Sequence, residues 1–381
     1  MRYPDSLSSE RGEAVAPDLR DIALATAHGE HRLSPAEALD LLESGDLLTL
    51  GSAASAMRER LHPGGEVTFI VDRNVNYTNV CMSGCTFCAF YRDAGDPDAY
   101  VLDPGKLSAK VAETIELGGT AILLQGGMHP DLDIGFYEEM LRCIKSAHPS
   151  IHVHGFGPPE VVHIARLSGL DTLAVLVRLR DAGLDSLPGG GAEILVDSVR
   201  SHLSPKKATS GEWLGVMREA HHLGMSTTAT MMFGSHETSS DRIEHLRRIR
   251  EVQDDAVAAG RVGFRAFIPW SFQPGNTEYA ESNPVSTASG WEYLRMLAVS
   301  RLFLDSFENL QASWVTQGAK IGQVALAFGA NDMGSTMIEE NVVAAAGTRF
   351  MLAREELVRL IADAGYSPVQ RDTLYREVKR Y

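Results

Sequence analysis

The chain has 381 residues, 44% hydrophobic and 22% charged, an ordinary globular composition with ample length for a large core. Its formal net charge of −15 argues against tracking nucleic-acid phosphates or binding an anionic membrane surface. No uncharged apolar run reaches the roughly 20 residues needed to span a bilayer, and the opening MRYPDSLSSE lacks a signal-peptide core, so a cytoplasmic location is expected.

Residues 1 to about 20 carry no clear period. Ser34-Pro35-Ala36-Glu37 combines an N-cap, a proline at the first helical position and acid in the first turn. Ala38, Leu39, Leu41 and Leu42 then recur at helical spacing up to Gly45, and a second helix is expected from Ser52 to Arg60. Eight short apolar runs follow: Thr68–Asp72, Ala121–Gln125, Ile151–Gly155, Leu184–Leu187, Ser226–Phe233, Gly263–Ile268, Leu310–Trp314 and Val324–Phe328. Amphipathic segments such as Lys106–Leu117, Ile134–Ala147, Glu212–Leu223, Arg242–Val257 and Trp291–Leu304 separate them. Strands alternating with helices predict an α/β fold with a parallel sheet, and eight units predict a closed (β/α)8 barrel of TIM type, with an open doubly wound sheet as the alternative. The tail from Arg354 to Tyr381 holds one amphipathic helix and a charged end, expected to pack on the barrel's outside. The expected organisation is 1–61 as extension and helices, 62–350 as barrel and 351–381 as helical tail.

Almost every run ends in a polar, glycine-rich stretch. Examples are Gln125-Gly126-Gly127, Pro188-Gly189-Gly190-Gly191-Ala192-Glu193, Thr316-Gln317-Gly318 and Asn331-Asp332-Met333-Gly334. In such barrels the strands' C-terminal ends form the active-site mouth, and glycine lets backbone approach a ligand closely.

Three of the four cysteines fall within eight residues, in Cys81-Met82-Ser83-Gly84-Cys85-Thr86-Phe87-Cys88. That is a poor disulfide framework and a good metal-ligand cluster. Three thiolates can hold three irons of a cubane cluster, leaving the fourth iron without a protein ligand. An unfilled metal position is where a substrate or cofactor binds. Cys143 lies mid-helix among apolar residues and is expected to be a packed core thiol. A structural zinc site would need a fourth ligand, and an ordinary electron-transfer cluster needs four.

The C-x3-C-x2-C spacing, with the aromatic Phe87 before the third cysteine and the whole motif directly after the first predicted strand, resembles the radical S-adenosylmethionine (SAM) superfamily. The resemblance implies a [4Fe-4S] cluster on Cys81, Cys85 and Cys88, with SAM chelated at the open iron and cleaved to a 5'-deoxyadenosyl radical. It places SAM contacts at Phe87, Gln125, Gly126, Gly127, Glu193 and Gly234. The superfamily often has Gly-Gly-Glu at the second turn; here Met128 stands where that Glu would be. Glu193 also reads as a first-turn acid of a following helix. Arg92 could pair with the SAM carboxylate or a substrate carboxylate, or form a surface ion pair. His152 and His154 share one face of the third strand.

Two stretches, Asp72-Arg73-Asn74-Val75-Asn76-Tyr77-Thr78-Asn79-Val80-Cys81 and Phe87-Cys88-Ala89-Phe90-Tyr91-Arg92, resemble the group that joins the futalosine-pathway menaquinone enzymes to the coenzyme F420 chromophore synthases. Pro188–Leu195, Ser204–Lys207, Phe267–Thr277, Ala312–Gly318 and Gly329–Thr336 extend the resemblance, which covers about residues 33 to 375. Trp270-Ser271-Phe272 and Ser313-Trp314-Val315 favour the futalosine cyclases over the aminofutalosine synthases. The resemblance implies hydrogen abstraction from C4' of a ribose, radical addition to an attached aryl ring, and loss of an electron and a proton. An aryl carboxylate then needs a clamp, with Arg73, Arg92, Ser271 and Thr316 as candidates. The deprotonation needs a base, with His154, Glu193 and Asp332 as candidates. The implied partners are a small nucleoside-derived substrate and an external electron donor of flavodoxin or ferredoxin type.

Overall fold

The computed structural model describes residues 18–347 and 350–381; the unpatterned stretch at the start lies largely outside the described residues. Ser34 caps the helix Pro35–Ser44 in a full capping box with Glu37. The next helix starts at Leu47, earlier than the apolar spacing indicates, because Asp46 accepts from Thr49 N–H and caps it there. Together with Leu19–His28 these helices pack on the helix Gly290–Phe303.

The first strand has two consecutive parts, β1 (Glu66–Ile70) and β2 (Asp72–Asn76). Then come β3 (Ala121–Gln125), β4 (His152–Gly155), β5 (Ser186–Leu187), β6 (Ser226–Phe233), β7 (Phe264–Ser271) and β8 (Asn309–Leu310). Neighbours from β2 to β8 pair in parallel in chain order. The ring closes through β9 (Asp332–Ser335), which pairs with β1 and is bridged to Gln311 just past β8. The expected eight-unit barrel is therefore present, with its eighth strand in a different place.

That strand was expected at Val324–Phe328. Those residues instead finish the helix Trp314–Ala325 and form a 3-10 turn, Leu326–Phe328, whose Leu326 and Phe328 are buried while Val324 is exposed. The true strand, Asp332-Met333-Gly334-Ser335, carries polar residues that meet partners inside the barrel, so it does not read as an apolar run. Likewise Trp314 opens a helix rather than ending a strand.

Outside the ring, the helices that follow the strands bury an apolar stripe. In Ile134–Ala147, the buried residues Ile134, Tyr137, Leu141 and Ile144 face inward. Cys143 falls off that stripe and is exposed, contrary to the expected packed thiol. No helix among the described residues is long and apolar enough to cross a membrane.

After the helix Arg354–Asp363, the tail forms β10 (Ser367–Arg371) and β11 (Glu377–Arg380). β10 pairs in parallel with β1, and β11 pairs antiparallel with β10. The tail is thus stitched to the first strand, and it sends Arg371, which is buried, under the barrel against Asp332.

Candidate active site

Strand β2 ends directly below the cysteine loop, whose path is fixed by backbone pairing. Cys81 N–H donates to Arg92 O at 3.0 Å, Met82 N–H to Met128 O at 3.0 Å and Thr86 N–H to Leu203 O at 3.0 Å. Met128 N–H points at Cys81 Sγ at 3.3 Å, and Ser83 Oγ lies 2.7 Å from Cys85 Sγ. Burial pushes the Cys85 thiol up to about 11 and the Cys88 thiol upward, while the N–H groups of Phe90 and Tyr91 favour the Cys88 thiolate. All three cysteines, with Phe87, line one pocket of about 250 Å³. Sulfurs supplied with N–H and O–H donors around a pocket suit an iron–sulfur cluster, whose metal deprotonates the thiols. Among the described residues no three His, Cys, Asp or Glu side chains gather around a single ion position.

The wall opposite the cysteines is the turn after β3. Gln125, Gly126 and Gly127 line the same pocket. A Cβ on Gly127 would sit 2.1 Å from Val80 O and 2.8 Å from Cys81 Cβ, and one on Gly126 would sit 2.5 Å from the Tyr77 ring. The glycines are therefore required for the cysteine loop and this turn to touch. Gly127→Ala is expected to displace the cysteine loop, so that reconstituted protein binds well under half the wild-type iron and sulfide; full metal content would refute the packing argument.

A carboxylate does stand at this turn, supplied from another element. Glu160, near the start of the helix Pro158–Ser168, accepts from Gly126 N–H at 3.0 Å, from Gly157 N–H at 2.8 Å and from Tyr77 O–H at 2.7 Å. It lines the cluster pocket, and burial pushes it up to about 7. Its place was not readable from the sequence, because it lies 34 residues beyond the turn it braces.

Glu193 lines both the cluster pocket and a larger cavity of about 310 Å³ that fills the barrel interior. Its backbone is left-handed, with φ 42°, and the helix after it starts only at Asp197. It is therefore not a first-turn acid. Its carboxylate accepts from Lys207 Nζ at 3.0 Å and lies 3.5 Å from Arg200. Burial opposes the charge on Lys207, yet Cys85 and Glu193 outweigh it and hold the ammonium above its ordinary value. Lys207 also lies 5.4 Å from the Phe87 ring centroid. Lys207 is thus a buried cation beside the cysteines, while Arg92 takes the other course expected for it, an ion pair with Asp98.

Several expected site residues lie elsewhere. Arg92 is half-buried, pairs with Asp98 at 2.7 Å, and donates to the carbonyls of Ala89, Phe90 and Tyr91; it shapes the loop from behind. Arg73 alternates to the outer face of β2 and pairs with Glu113 at 2.7 Å. Ser271 is buried and accepts from Gln317 at 2.6 Å, outside the lining of either pocket. Gly234 also lies outside both linings, where Glu237 accepts its N–H at 2.6 Å. Thr316 lines the larger cavity, with its hydroxyl 2.9 Å from Ser313 Oγ. Asp332 is fully buried below the cavity, bound to Arg371, to Thr68 Oγ1 and to Gly334 N–H. His154 faces the cavity, and both it and His152 lie 2.7 Å from Ser186 Oγ. Burial drives His154 down to about 3, so it is neutral.

A parallel barrel with a three-cysteine loop on its first strand, opening onto an interior cavity, defines a class: an iron–sulfur enzyme with one iron left for a ligand. The radical SAM superfamily model matches residues 75–249, and the CofH/MqnC C-terminal region matches residues 261–380. The chain is 44% identical over 361 residues to cyclic dehypoxanthine futalosine synthase of Halalkalibacterium halodurans, covering 95% of each chain. It is 44% identical over 349 residues to 5-amino-6-(D-ribitylamino)uracil--L-tyrosine 4-hydroxyphenyl transferase of Methanopyrus kandleri, covering 90% of this chain and 93% of that one. The solved structure of methylornithine synthase shares the fold, with a TM-score of 0.68 at 19% identity over 92% of this chain and 97% of that chain. The chain belongs to the radical SAM superfamily and, within it, to the CofH/MqnC group. It is an enzyme whose cofactors are a [4Fe-4S] cluster and SAM.

Proposed function

We propose that the protein is a radical SAM cyclase that converts dehypoxanthine futalosine to cyclic dehypoxanthine futalosine in menaquinone biosynthesis, in the cytoplasm, with an external flavodoxin or ferredoxin as electron donor. The observation that carries this reading is that two pockets adjoin across shared walls. Gln125, Gly190, Gly191, Glu193 and Trp270 line both the cysteine pocket and the barrel cavity. A ligand reaching between them suits a reaction that joins a sugar carbon to an aryl ring in one molecule. The likeness to the cyclase of Halalkalibacterium halodurans, over 95% of both chains, supports the same reading.

Cys81, Cys85 and Cys88 would hold the cluster, which with SAM supplies the 5'-deoxyadenosyl radical. The Gly126-Gly127 turn, held by Glu160, would meet the SAM ammonium, and Lys207 would balance its carboxylate. Below, the side chains of Ile268, Trp270, Trp314 and Val315 wall the cavity. Such walls exclude water from a radical and hold the two reacting carbons at contact.

The test is anaerobic turnover of reconstituted enzyme with SAM, a reductant and dehypoxanthine futalosine. The expected result is 5'-deoxyadenosine and the cyclic product. SAM cleavage with no new product would overturn the reading. The second reading is an F420-chromophore-synthase-like transferase, supported by an equal 44% identity to the Methanopyrus kandleri enzyme. It requires product from tyrosine and 5-amino-6-(D-ribitylamino)uracil, a separate arm of the same assay. Aminofutalosine synthesis, a third possibility within the class, differs in retaining adenine in its product.

A further inference from the structure

The cyclase reading demands a proton acceptor, and a base in a water-poor cavity must be reachable and not already saturated by donors. Glu193 is held by Lys207 through Oε1, and its Oε2, which has no hydrogen-bond partner, is fully enclosed and faces Arg200 at 3.5 Å. Glu340 accepts from Asn74 at 3.0 Å and from the N–H groups of Val342 and Val343 at 2.8 Å each. Asp332 is locked to Arg371 and lies outside the cavity lining. His154 faces the cavity, but burial has removed most of its basicity.

Asp72 differs from all of these. It projects from the inward face of β2 into the cavity, near the barrel floor. One oxygen, Oδ1, accepts from Ser335 Oγ. The other, Oδ2, has no hydrogen-bond partner among the described residues, and it is not among the fully enclosed unpaired atoms. Among the charged groups around it, Arg371 from the tail favours its anion and Asp332 from β9 opposes it. The other titratable side chains that line the cavity are His154, Glu193, Glu340, Arg371 and Tyr375.

We propose that Asp72 is the base that takes the proton from the aryl ring after the sugar radical has added to it; the assignment rests on the cyclase reading above. The ring C–H bond breaks and its proton passes to Asp72 Oδ2. The C–H electron pair re-forms the aromatic sextet, and the remaining unpaired electron leaves to a one-electron acceptor of flavodoxin or ferredoxin type. Hydrogen abstraction from the sugar precedes this step and does not need Asp72. Burial pushes Asp72 up to about 6, which leaves it an anion near neutral pH with more affinity for a proton than an exposed aspartate has. It is ionised and competent above that pH and protonated below it.

The experiment compares wild type, Asp72→Asn, Asp72→Glu and Ser335→Ala as reconstituted holoenzymes, measuring 5'-deoxyadenosine, cyclic product and substrate affinity without reductant. In Asp72→Asn, cyclic product is expected to fall about 100-fold or more, with 5'-deoxyadenosine formation and substrate affinity within about threefold of wild type. Asp72→Glu restores part of the product. The ratio of product to 5'-deoxyadenosine should fall below about pH 6 in wild type. That limb should vanish in Asp72→Asn and move to higher pH in Ser335→Ala, which loses the hydrogen bond that favours the anion. Near-wild-type product from Asp72→Asn, or an unchanged low-pH limb, overturns the assignment. Parallel loss of 5'-deoxyadenosine, product and substrate affinity overturns it in favour of a binding role. Wild type that makes 5'-deoxyadenosine but no cyclic product instead overturns the cyclase reading itself.

Discussion

Cys85→Ser is expected to remove the iron–sulfur chromophore and reduce SAM cleavage to the level of an enzyme-free control. Three thiolates are the whole protein ligand set for the cluster, so loss of one leaves two irons without protein ligands. A serine oxygen is a harder and far less acidic donor than a thiolate and does not replace it well. The fold should survive, because the loop from Cys81 to Arg92 sits at the barrel mouth and its path rests on backbone bonds rather than on the sulfurs. Iron and sulfide analysis, absorbance near ~400 nm and 5'-deoxyadenosine release read the effect, with circular dichroism as the check on folding. Cys143→Ser is the control, since that thiol is exposed on an outer helix and should change none of these. A Cys85→Ser protein with full iron content and SAM cleavage would remove the basis for the site.

Arg371→Met is expected to produce the largest loss of stability. Arg371 and Asp332 are both buried, and Arg371 Nη2 donates to Asp332 Oδ1 at 3.0 Å while Nε meets Oδ2. Removing the guanidinium strands a charge with only Thr68 Oγ1 and Gly334 N–H beside it. Breaking a buried pair from one side costs about 3–5 kcal/mol, enough to lower the urea midpoint and melting temperature visibly. The floor of the cavity should loosen with it, because Arg371 lines that cavity and ends the strand that pairs with β1. The exposed pair between Arg380 and Glu66 on the same ribbon is the contrast: Arg380→Met should leave the midpoint essentially unchanged. Equal midpoints for Arg371→Met and wild type would show that the buried pair is not what secures the tail.

Most of the barrel was legible because a parallel strand covered by helices reads as a short apolar run, and because glycines mark the ends that approach a ligand. The exceptions are segments whose composition follows a partner distant in sequence. Asp332–Ser335, at the eighth position, faces a polar partner from the tail, so its composition looks like a loop. Within Val324–Phe328, the 3-10 turn Leu326–Phe328 packs against the helix Leu47–Leu61, which its buried Leu326 and Phe328 face. Arg73 shows the same limit at the scale of one residue. It sits on the correct strand, but alternation turns it outward while Asp72 and Asn74 face the cavity.

The sequence by itself determined the three cysteines, their loop after the first strand, the Gly126-Gly127 turn and the eight-unit architecture, since ligand spacing, glycine and periodicity are local properties. Only the tertiary structure decided which polar groups meet: Glu160 with Gly126 and Tyr77, Lys207 with Glu193 beside the cysteines, Arg371 with Asp332, and Asp72 near Arg371 but in no direct ion pair among the described residues. Each of those outcomes depends on barrel closure, which brings together side chains from separate elements. Burial there sets whether a carboxylate is locked as an anion or left able to take a proton.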